Sequence, residues 1–285
     1  MIIDSFLFFN ELSMLKVRLE YLGERVDKFI VIESSIDFSG KPKGLVLTKS
    51  VVESLPYSWK VMVFVWRPNI ILGKLIFPLA GKHGWRKTLW KIQKFQRNHL
   101  VNALRYFRPE DVVLFGDLDE IPDRESLTAR AVEPFENKGE IGVFRQKLFY
   151  YSLQVLVDMD WRGTVICSVA TVLKMSPKQI RRQRNKADVF SGGWHFSYFG
   201  SPSAIQQKIS AIASVEGMDH AIKLNEDDIL DKINSGKDLY GRPYINPELV
   251  KSPEIPPELL ALIIEYFPEN SPAKTPNKST HISKQ

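Results

Sequence analysis

The sequence of 285 residues contains a single cysteine, Cys167. One cysteine cannot form an intrachain disulfide, and it does not provide a cysteine-based zinc site. Cys167 lies in an apolar run, so we expect it to be a small core residue. Proteins held together by disulfides or by cysteine-bound zinc are therefore excluded.

The chain also lacks a long hydrophobic run. No stretch approaches the roughly 20 apolar residues that a membrane-spanning helix needs. Residues 1–10 are apolar, but no basic leader precedes them, and Glu11 and Lys16 soon follow. This pattern predicts a first strand and not a signal peptide. We therefore expect a soluble, cytoplasmic protein.

Neither sign of charge is in large excess. The net charge is +6 and the pI is near 9.2, which favours an anionic ligand or surface. No basic–aromatic repeat typical of RNA binding is present, so we expect no nucleic-acid partner. The hydrophobic fraction of 44% and the length suit a well-packed α/β protein of one large domain or two small ones.

Strands alternate with helices in the first half of the chain, which predicts a mostly parallel sheet. Strands are predicted at residues 2–9, 28–33, 61–66 and 111–115, and helices at residues 11–22 and 85–107. The second half predicts strands at 141–151 and 164–174, a glycine turn with an aromatic strand at 192–198, and helices near 202–213 and 227–234. Residues 269–285 are polar and predict a disordered tail after a single domain of residues 1–268.

The most informative segment follows the predicted strand 111–115 and contains Asp117, Asp119 and Glu120. Two carboxylates one residue apart at the end of a strand point the same way. Like charges so close are costly unless a cation shares them. A divalent metal that bridges to a phosphorylated ligand is the usual solution, and ligands bind beyond the carboxyl ends of strands in open α/β sheets. The segment predicts a metal-dependent enzyme with a nucleotide or another phosphorylated donor.

Two other interpretations of this segment remain open. Aspartate pairs are common in turns, so Asp117 and Asp119 could form a solvated helix cap. A phosphatase of the aspartyl-phosphate type also carries Asp-x-Asp after a strand. Such enzymes usually place the motif on the first strand, whereas three predicted strands precede it here.

Two further groups of residues suit the same chemistry. His195 follows Gly192 and Gly193, which allow close backbone approach, and it is either an additional metal ligand or a satisfied core histidine. A basic run near residue 180 either neutralises a departing diphosphate or forms a solvated face. The basic candidates are Arg181, Arg182 and Arg184.

Several short blocks, in one order over roughly residues 2–245, resemble glycosyltransferase family 17. The blocks are Phe8-Phe9-Asn10-Glu11, Arg18-Leu19, Val31-Ile32-Glu33-Ser34, Phe38-Ser39-Gly40-Lys41-Pro42-Lys43, Gln96-Arg97-Asn98, Asp117-Leu118-Asp119-Glu120-Ile121-Pro122, Arg181-Arg182-Gln183-Arg184, Gly193-Trp194-His195-Phe196-Ser197, Ser214-Val215-Glu216 and Gly236-Lys237-Asp238-Leu239-Tyr240-Gly241.

The resemblance implies an α/β fold of the GT-A type, with a Rossmann-like mixed sheet flanked by helices. It also implies Mn²⁺ or Mg²⁺, inversion at the anomeric carbon, and a UDP-sugar donor, which is UDP-N-acetylglucosamine (UDP-GlcNAc) in the known members. The acceptor would be a hydroxyl of a glycan or glycoconjugate. The region between Phe149 and Gly163 matches poorly, so we do not expect a bisected N-glycan as the product.

The residue patterns and the resemblance together give expected roles for single residues. Asp119 would bind the metal, with His195 as a further ligand, and Asp117 would hold the metal, a metal-bound water or the ribose. A carboxylate must remove the acceptor proton, and Glu216 is the first candidate and Glu120 the second. The expected donor-binding residues are Glu33, Arg97, Asp117, Arg181, Arg182, Arg184 and Trp194.

Two rival functions remain, a metal-dependent phosphohydrolase and a non-catalytic protein that binds a nucleotide or a glycan. A peripheral membrane contact is a further hypothesis, because residues 70–79 are apolar and a cluster of basic residues follows. The alternative is a packed loop beside a solvated helix face. The basic residues are Lys82, Arg86, Lys87, Lys91 and Lys94. The sequence does not predict the oligomeric state.

Overall fold

The computed structural model of the chain describes residues 1–37, 40–68, 94–216, 224–242, 248–250 and 253–270. For residues 212–216 and 249 it describes the backbone alone. Within these ranges, no helix is both long enough and apolar enough to cross a membrane.

Nine strands occur in the described part of the chain. They are β1 (Ile2–Phe8), β2 (Lys28–Ser34), β3 (Val61–Trp66), β4 (Val112–Phe115), β5 (Glu120–Pro122), β6 (Ile141–Tyr150), β7 (Val155–Ser168), β8 (Asp188–Ser197) and β9 (Glu248–Leu249).

The α-helices of the same ranges are numbered here in chain order. They are α1 (Leu12–Leu22), α2 (Lys49–Glu53), α3 (residues 94–104), α4 (Ala129–Val132), α5 (Val169–Lys174), α6 (Pro177–Gln183), α7 (Pro202–Glu216), α8 (Glu226–Ser235) and α9 (Pro257–Tyr266). Short 3₁₀ turns cover Ser58–Lys60, Arg124–Ser126, Glu133–Glu136 and Pro268–Asn270.

The strands form one mixed sheet with the order β3-β2-β1-β4-β7-β6-β8-β5, and β9 pairs with β7. The first four strands are parallel, whereas β7 runs antiparallel to both β4 and β6. The chain moves from β1 to β2 and β3 on one side, and β4 lies on the other side of β1. The gap between the carboxyl ends of β1 and β4 is therefore a topological switch point, where open α/β sheets bind ligands.

Apolar side chains cover both faces of the parallel half. Phe6 and Phe8 of β1 join the core cluster that includes Leu15 and Leu19 of α1, and α9 packs on α1. Ile3 belongs to the other core cluster, with Leu100 and Leu104 of α3. Because both faces are covered, β1 is apolar except for Asp4 and Ser5, which are buried and hydrogen-bonded.

The predicted mixed α/β sheet flanked by helices is confirmed, and the first-half strands begin and end within a residue or so of the predicted bounds. The second half differs in detail. The strand predicted at 164–174 is wrong at both ends, because β7 begins at Val155 and ends at Ser168. Residues 169–174 form α5, since the Ser168 hydroxyl accepts a hydrogen bond from Thr171 N and starts a helix there.

The predicted glycine turn before residue 194 is also wrong. Gly192 and Gly193 lie inside β8, which pairs with β5 and β6. A Cβ at residue 193 would lie 2.5 Å from the Ile121 carbonyl oxygen, so glycine allows a close approach of strands and not a reversal of the chain.

Several expectations fall at the edges of the described ranges. Residues 70–79 and the first part of the helix predicted at 85–107 lie outside them. Of the tail predicted at residues 269–285, the part from residue 271 onward also lies outside them. Its first two residues belong to the 3₁₀ turn Pro268–Asn270, and Asn270 is buried and accepts a hydrogen bond from Gly200 N. Helix α9 was not predicted.

Candidate active site

A buried arginine of α1 fixes the segment that carries Asp117 and Asp119. The Nε and Nη2 atoms of Arg18 lie 2.7 and 2.8 Å from the carboxylate of Asp4 on β1. Its Nη1 atom donates to the carbonyl oxygens of Asp117, Leu118 and Glu120 at 3.0, 3.0 and 2.7 Å. The planar guanidinium therefore ties the turn between β4 and β5 to the first strand and the first helix.

Asp117 faces two arginines. Its Oδ1 atom accepts from Arg181 Nη1 of α6 at 2.8 Å and from Arg97 Nη2 of α3 at 3.3 Å. Burial opposes ionisation of Asp117, but Arg181 and Arg97 outweigh it and hold the pKa of the carboxyl group well below its usual value. Burial and the nearby Arg181 lower the pKa of Arg97 to about 10. Asp117 is therefore a carboxylate shared by two cations.

Asp119 faces a different group of side chains. Its Oδ2 atom accepts from Lys208 Nζ of α7 at 2.9 Å, and its Oδ1 atom lies 3.4 Å from His195 Nε2. Lys208 also pairs with Glu11 Oε1 at 3.2 Å. Burial raises the pKa of Asp119, but Lys208 and His195 more than offset this and keep it below the usual range. Burial lowers the pKa of Lys208, but the carboxylates of Asp119 and Glu11 raise it by more, so the pKa lies above its usual value. Lys208 and Asp119 therefore both stay charged.

The expectation that the two carboxylates point the same way is therefore wrong. The alternation rule holds along a strand, but residues 117–119 form the turn between β4 and β5. Asp117 turns towards α3 and α6, and Asp119 turns towards α7 and β8. Because each carboxylate has its own basic partners, the pair does not depend on one shared cation.

Glu120 is buried and has partners on both carboxylate oxygens. Arg184 Nη2 lies 2.7 and 2.5 Å from the two oxygens, and Trp161 Nε1 and Asp117 N donate at 3.1 and 2.9 Å. This environment does not suit a general base, because the carboxylate has no free face for an acceptor hydroxyl. It also keeps Arg184 away from a diphosphate. Glu120 and Arg184 instead stabilise the turn from its buried side, where Glu120 accepts a hydrogen bond from Asp117 N.

Two other predicted donor-binding residues bond to groups outside the turn that carries the carboxylates. Glu33 is buried at the end of β2, where Lys43 Nζ lies 3.1 Å away and the backbone nitrogens of Val46 and Leu47 donate at 2.7 and 3.1 Å. Glu33 therefore shapes the loop after β2. Trp194 faces the opposite side of β8 from His195, and its Nε1 donates to the Glu254 carbonyl at 3.0 Å.

The remaining predicted residues differ in position. Arg182 is exposed on α6, while Arg181 on the same helix reaches Asp117. Glu216 is the last residue of α7, and its side chain lies outside the described atoms. Its role as a base stays a prediction.

Polar side chains from three strands lie beside the carboxylates. The Trp161 and His195 rings are 5.1 Å apart, and Gln146 of β6 pairs with Trp161 in the sheet register. His195 Nδ1 and both amide atoms of Gln146 are buried and have no hydrogen-bond partner among the described residues. These atoms can therefore form hydrogen bonds with a polar ligand or with ordered water on this face of the sheet.

Two cavities border these elements. A cavity of about 290 Å³ lies beside Lys208 and Glu11, at the carboxyl end of β1. Asn10, Gln207 and three phenylalanines, Phe9, Phe199 and Phe267, also line it. A larger cavity of about 740 Å³ is lined by Trp194, Arg145 and Lys147, so it opens on the sheet face opposite His195.

The donor set of Asp119 and His195 fits a divalent ion. In an octahedral site, two neighbouring ligand atoms that each lie about 2.1 Å from the ion are about 3 Å from each other. The distance between Asp119 Oδ1 and His195 Nε2 is 3.4 Å, which is close to this value. The described residues contain no cluster of three or more His, Cys, Asp or Glu side chains that could hold a metal. Mg²⁺ sites typically use one or two carboxylates and complete the coordination with water and substrate phosphates.

The sequence interpretation missed the residues that position and neutralise the carboxylates. Arg18 lies within the buried side of α1, between Leu15 and Leu19. Lys208 shares a face of α7 with the buried Ile205 and Ala211, three residues away on either side. A single basic residue within an apolar helix face signals a buried acidic partner, because an unpaired buried charge is costly. That pattern identifies Arg18 and Lys208 from the sequence, but it does not identify Asp4 and Asp119 as their partners.

Comparison with known proteins identifies the family. The family model described as Glycosyltransferase family 17 matches residues 1–251. The human β-1,4-mannosyl-glycoprotein 4-β-N-acetylglucosaminyltransferase is 31% identical over 123 residues, which cover 41% of this chain and 21% of that protein. The rat protein of the same name has the same identity and coverage. The match thus spans about a fifth of the length of these curated relatives.

Solved structures show a weaker likeness. The galactosyltransferase LgtC, in a complex with donor and acceptor sugar analogues, is 11% identical with a TM-score of 0.33, over 65% of this chain and 63% of that chain. A mycobacterial protein is 14% identical with a TM-score of 0.33, over 76% and 74% of the two chains. Scores this low carry no argument about the site.

The sheet with a carboxylate turn at its switch point and the family match agree on the class of protein. The chain belongs to glycosyltransferase family 17.

Proposed function

We propose that the protein is an inverting, metal-dependent glycosyltransferase that moves N-acetylglucosamine from UDP-GlcNAc to a hydroxyl of a glycan or glycoconjugate. The observation that carries the proposal is the position of Asp117 and Asp119. They follow β4 at the switch point of the sheet, and basic side chains flank them on both sides.

The balance of charge in the site supports a donor that arrives with a divalent ion. Three basic groups, Arg97, Arg181 and Lys208, face three carboxylates, Asp117, Asp119 and Glu11. A bare diphosphate with two negative charges would upset this balance. A diphosphate paired with Mn²⁺ or Mg²⁺ is neutral and would preserve it.

Within this proposal, Asp119 and His195 hold the ion, which when bound neutralises charge on the leaving diphosphate. Asp117 lies on the other side of the turn and holds the ribose or a metal-bound water. Arg97 and Arg181 add positive charge at the diphosphate. Arg184 acts indirectly, because it holds Glu120 and so supports the turn.

Inversion requires a base on the face of the sugar opposite the leaving group. Glu216 remains the candidate for that base, since it lies on the same helix as Lys208. Eight residues of helix separate the two, which is about 12 Å along the axis. We propose that the acceptor binds beyond the Asp119 contact, on the side where α7 ends at Glu216.

The protein should therefore cleave a UDP-sugar slowly even without an acceptor. We would incubate it with Mn²⁺ and a panel of UDP- and GDP-sugars, and measure free nucleoside diphosphate and inorganic phosphate. The proposal expects UDP release that EDTA abolishes and that is fastest with UDP-GlcNAc. Phosphate release from simple phosphoesters would instead favour a phosphohydrolase, and tight binding with no product would favour a non-catalytic binding protein.

Three further statements remain predictions: the cytoplasmic location, the membrane contact of residues 70–79, and the acceptor.

A further inference from the structure

Lys208 connects three parts of the site. Its Nζ atom lies 2.9 Å from Asp119 Oδ2 and 3.2 Å from Glu11 Oε1, and 5.6 Å from the centre of the Tyr198 ring. The side chain is 19% exposed. The ammonium group therefore joins α7 to the turn after β4 and to the loop after β1.

The ammonium group and a metal ion would both use Asp119. His195 approaches Oδ1 of this carboxylate, and Lys208 occupies Oδ2. Two cations within about 3 Å of one carboxylate repel each other strongly where the side chains are largely buried, as Lys208 and Asp119 are. Glu11 offers the ammonium group a second anchor that does not depend on Asp119. The flexible four-carbon stem of lysine lets Nζ shift between the two.

We propose that Lys208 is a tethered counter-cation that holds Asp119 in the donor-free enzyme and that yields this carboxylate to the divalent ion, while Glu11 retains the ammonium group. This inference rests on the proposed metal site at Asp119. Lys208 is thus a positioning residue that makes metal binding depend on the donor. The ion alone must displace Lys208, whereas the ion with a diphosphate also supplies a new anion near the displaced ammonium group.

The experiment measures Mn²⁺ affinity directly, without turnover. Free Mn²⁺ is followed by its electron paramagnetic resonance signal during titration of the protein, with and without UDP. Lys208→Met removes the charge but keeps an unbranched stem against Tyr198, and Lys208→Gln is a second neutral variant. Lys208→Arg keeps the charge, and Lys174→Met, at an exposed position at the end of α5, is the matched control.

We expect Lys208→Met and Lys208→Gln to bind Mn²⁺ alone at least tenfold more tightly than the wild type. Lys208→Arg and Lys174→Met should bind like the wild type. The gain in Mn²⁺ affinity caused by UDP should be smaller in the neutral variants, because their site no longer has to displace a cation. Melting curves of each variant establish that it is folded.

Two outcomes would overturn the inference in different ways. Equal or weaker Mn²⁺ binding by folded Lys208→Met and Lys208→Gln would show that Lys208 does not compete for Asp119, while the metal site itself would stand. Absence of Mn²⁺ binding in every protein, with UDP present, would remove the metal site and this inference together.

Discussion

At the scale of single residues, the charged groups of the site have separate duties. Asp117 is half-buried and Asp119 is buried, and both contact basic groups that are partly accessible. Glu120, the next residue after Asp119, is completely buried and forms an ion pair with Arg184. A sequence alone cannot separate these three acids, because their difference arises from contacts with other elements of the fold, from Arg97, 20 positions away, to Lys208, 89 positions away.

The Glu120–Arg184 pair predicts a large loss of stability on Glu120→Gln. The change leaves Arg184 as a buried charge without its carboxylate, and breaking a buried pair in this way typically costs about 3 kcal/mol or more. Urea unfolding measures the loss. Glu136→Gln, at an exposed position, is the control and should stay within about 0.5 kcal/mol of the wild type. A Glu120→Gln protein of normal stability that loses the acidic limb of its pH–rate profile would restore Glu120 as a candidate base.

At the scale of secondary structure, the contact between β5 and β8 positions Asp119, because His195 pairs with Glu120 in the register. Gly193→Ala places a Cβ 2.5 Å from the Ile121 carbonyl, and backbone must move to relieve this contact. We expect a loss of about 1–3 kcal/mol and slower donor cleavage.

The neighbouring glycine provides the control for that substitution. A Cβ at Gly192 meets no atom closer than the Arg145 carbonyl oxygen at 3.6 Å, an ordinary contact. Gly192→Ala should therefore keep the melting temperature and the rate of UDP release. If the two variants behave alike, the close approach of β5 to β8 is not what holds the turn.

The only cysteine, Cys167, is buried in the central strand β7, so its ionisation and its reactivity measure the unfolding of the sheet. Burial raises the pKa of Cys167 to about 12, so the folded state retains the thiol proton that the unfolded state loses near pH 9. The protonated thiol therefore adds stability that is complete below pH 9 and is lost as the pH rises towards 12. Between these values, stability should fall more steeply in the wild type than in Cys167→Ala, by up to about 1.4 kcal/mol per pH unit.

Thiol labelling checks the same prediction near neutral pH. A disulfide reagent should modify Cys167 only as fast as the sheet unfolds. Rapid and complete labelling of the folded protein would show that β7 is not buried as described.

The elements also show where sequence patterns are sufficient and where they are not. The apolar runs of β1, β2 and β4 predict their strands well, because these strands are buried on both faces. β3 lies at the edge of the sheet and is half-buried, but all six of its residues are apolar. The first half of β7, from Val155 onward, is largely exposed or half-buried. Because a loop would show the same exposure, the start of β7 is recognisable only from its pairing with β6 and β9. The end of β7 has a local signal, because Ser168 is a residue type that favours the N-cap position of a helix.

At the scale of the whole molecule, the order of the strands turns a local motif into a site. The alternation of strands and helices predicts the parallel half, but not that β4 lies next to β1 on the side away from β2. That arrangement brings the loop after β1, with Glu11, to the turn after β4. It also lets α6 and α7, far along the chain, supply Arg181 and Lys208. Long-range contacts of this kind are not encoded in the local spacing of residues.

The most direct test of the central claim is donor cleavage by Asp119→Asn. The substitution keeps the size of the side chain and removes the charge proposed to hold the ion. Its loss also leaves Lys208 with Glu11 as its one acidic partner among the described residues, so the folded protein should melt at a lower temperature than the wild type. Asp227→Asn, at an exposed position on α8, is the control.

The measurement is UDP release from UDP-GlcNAc at saturating Mn²⁺, at a temperature where each variant is folded. We predict that Asp119→Asn is slower than the wild type by a factor of roughly a hundred or more, since charge stabilisation of a leaving group is worth several kcal/mol and each 1.36 kcal/mol is tenfold. Asp227→Asn should match the wild type. Near-normal UDP release by folded Asp119→Asn would contradict the account, because the turn after β4 would then not be the reaction centre.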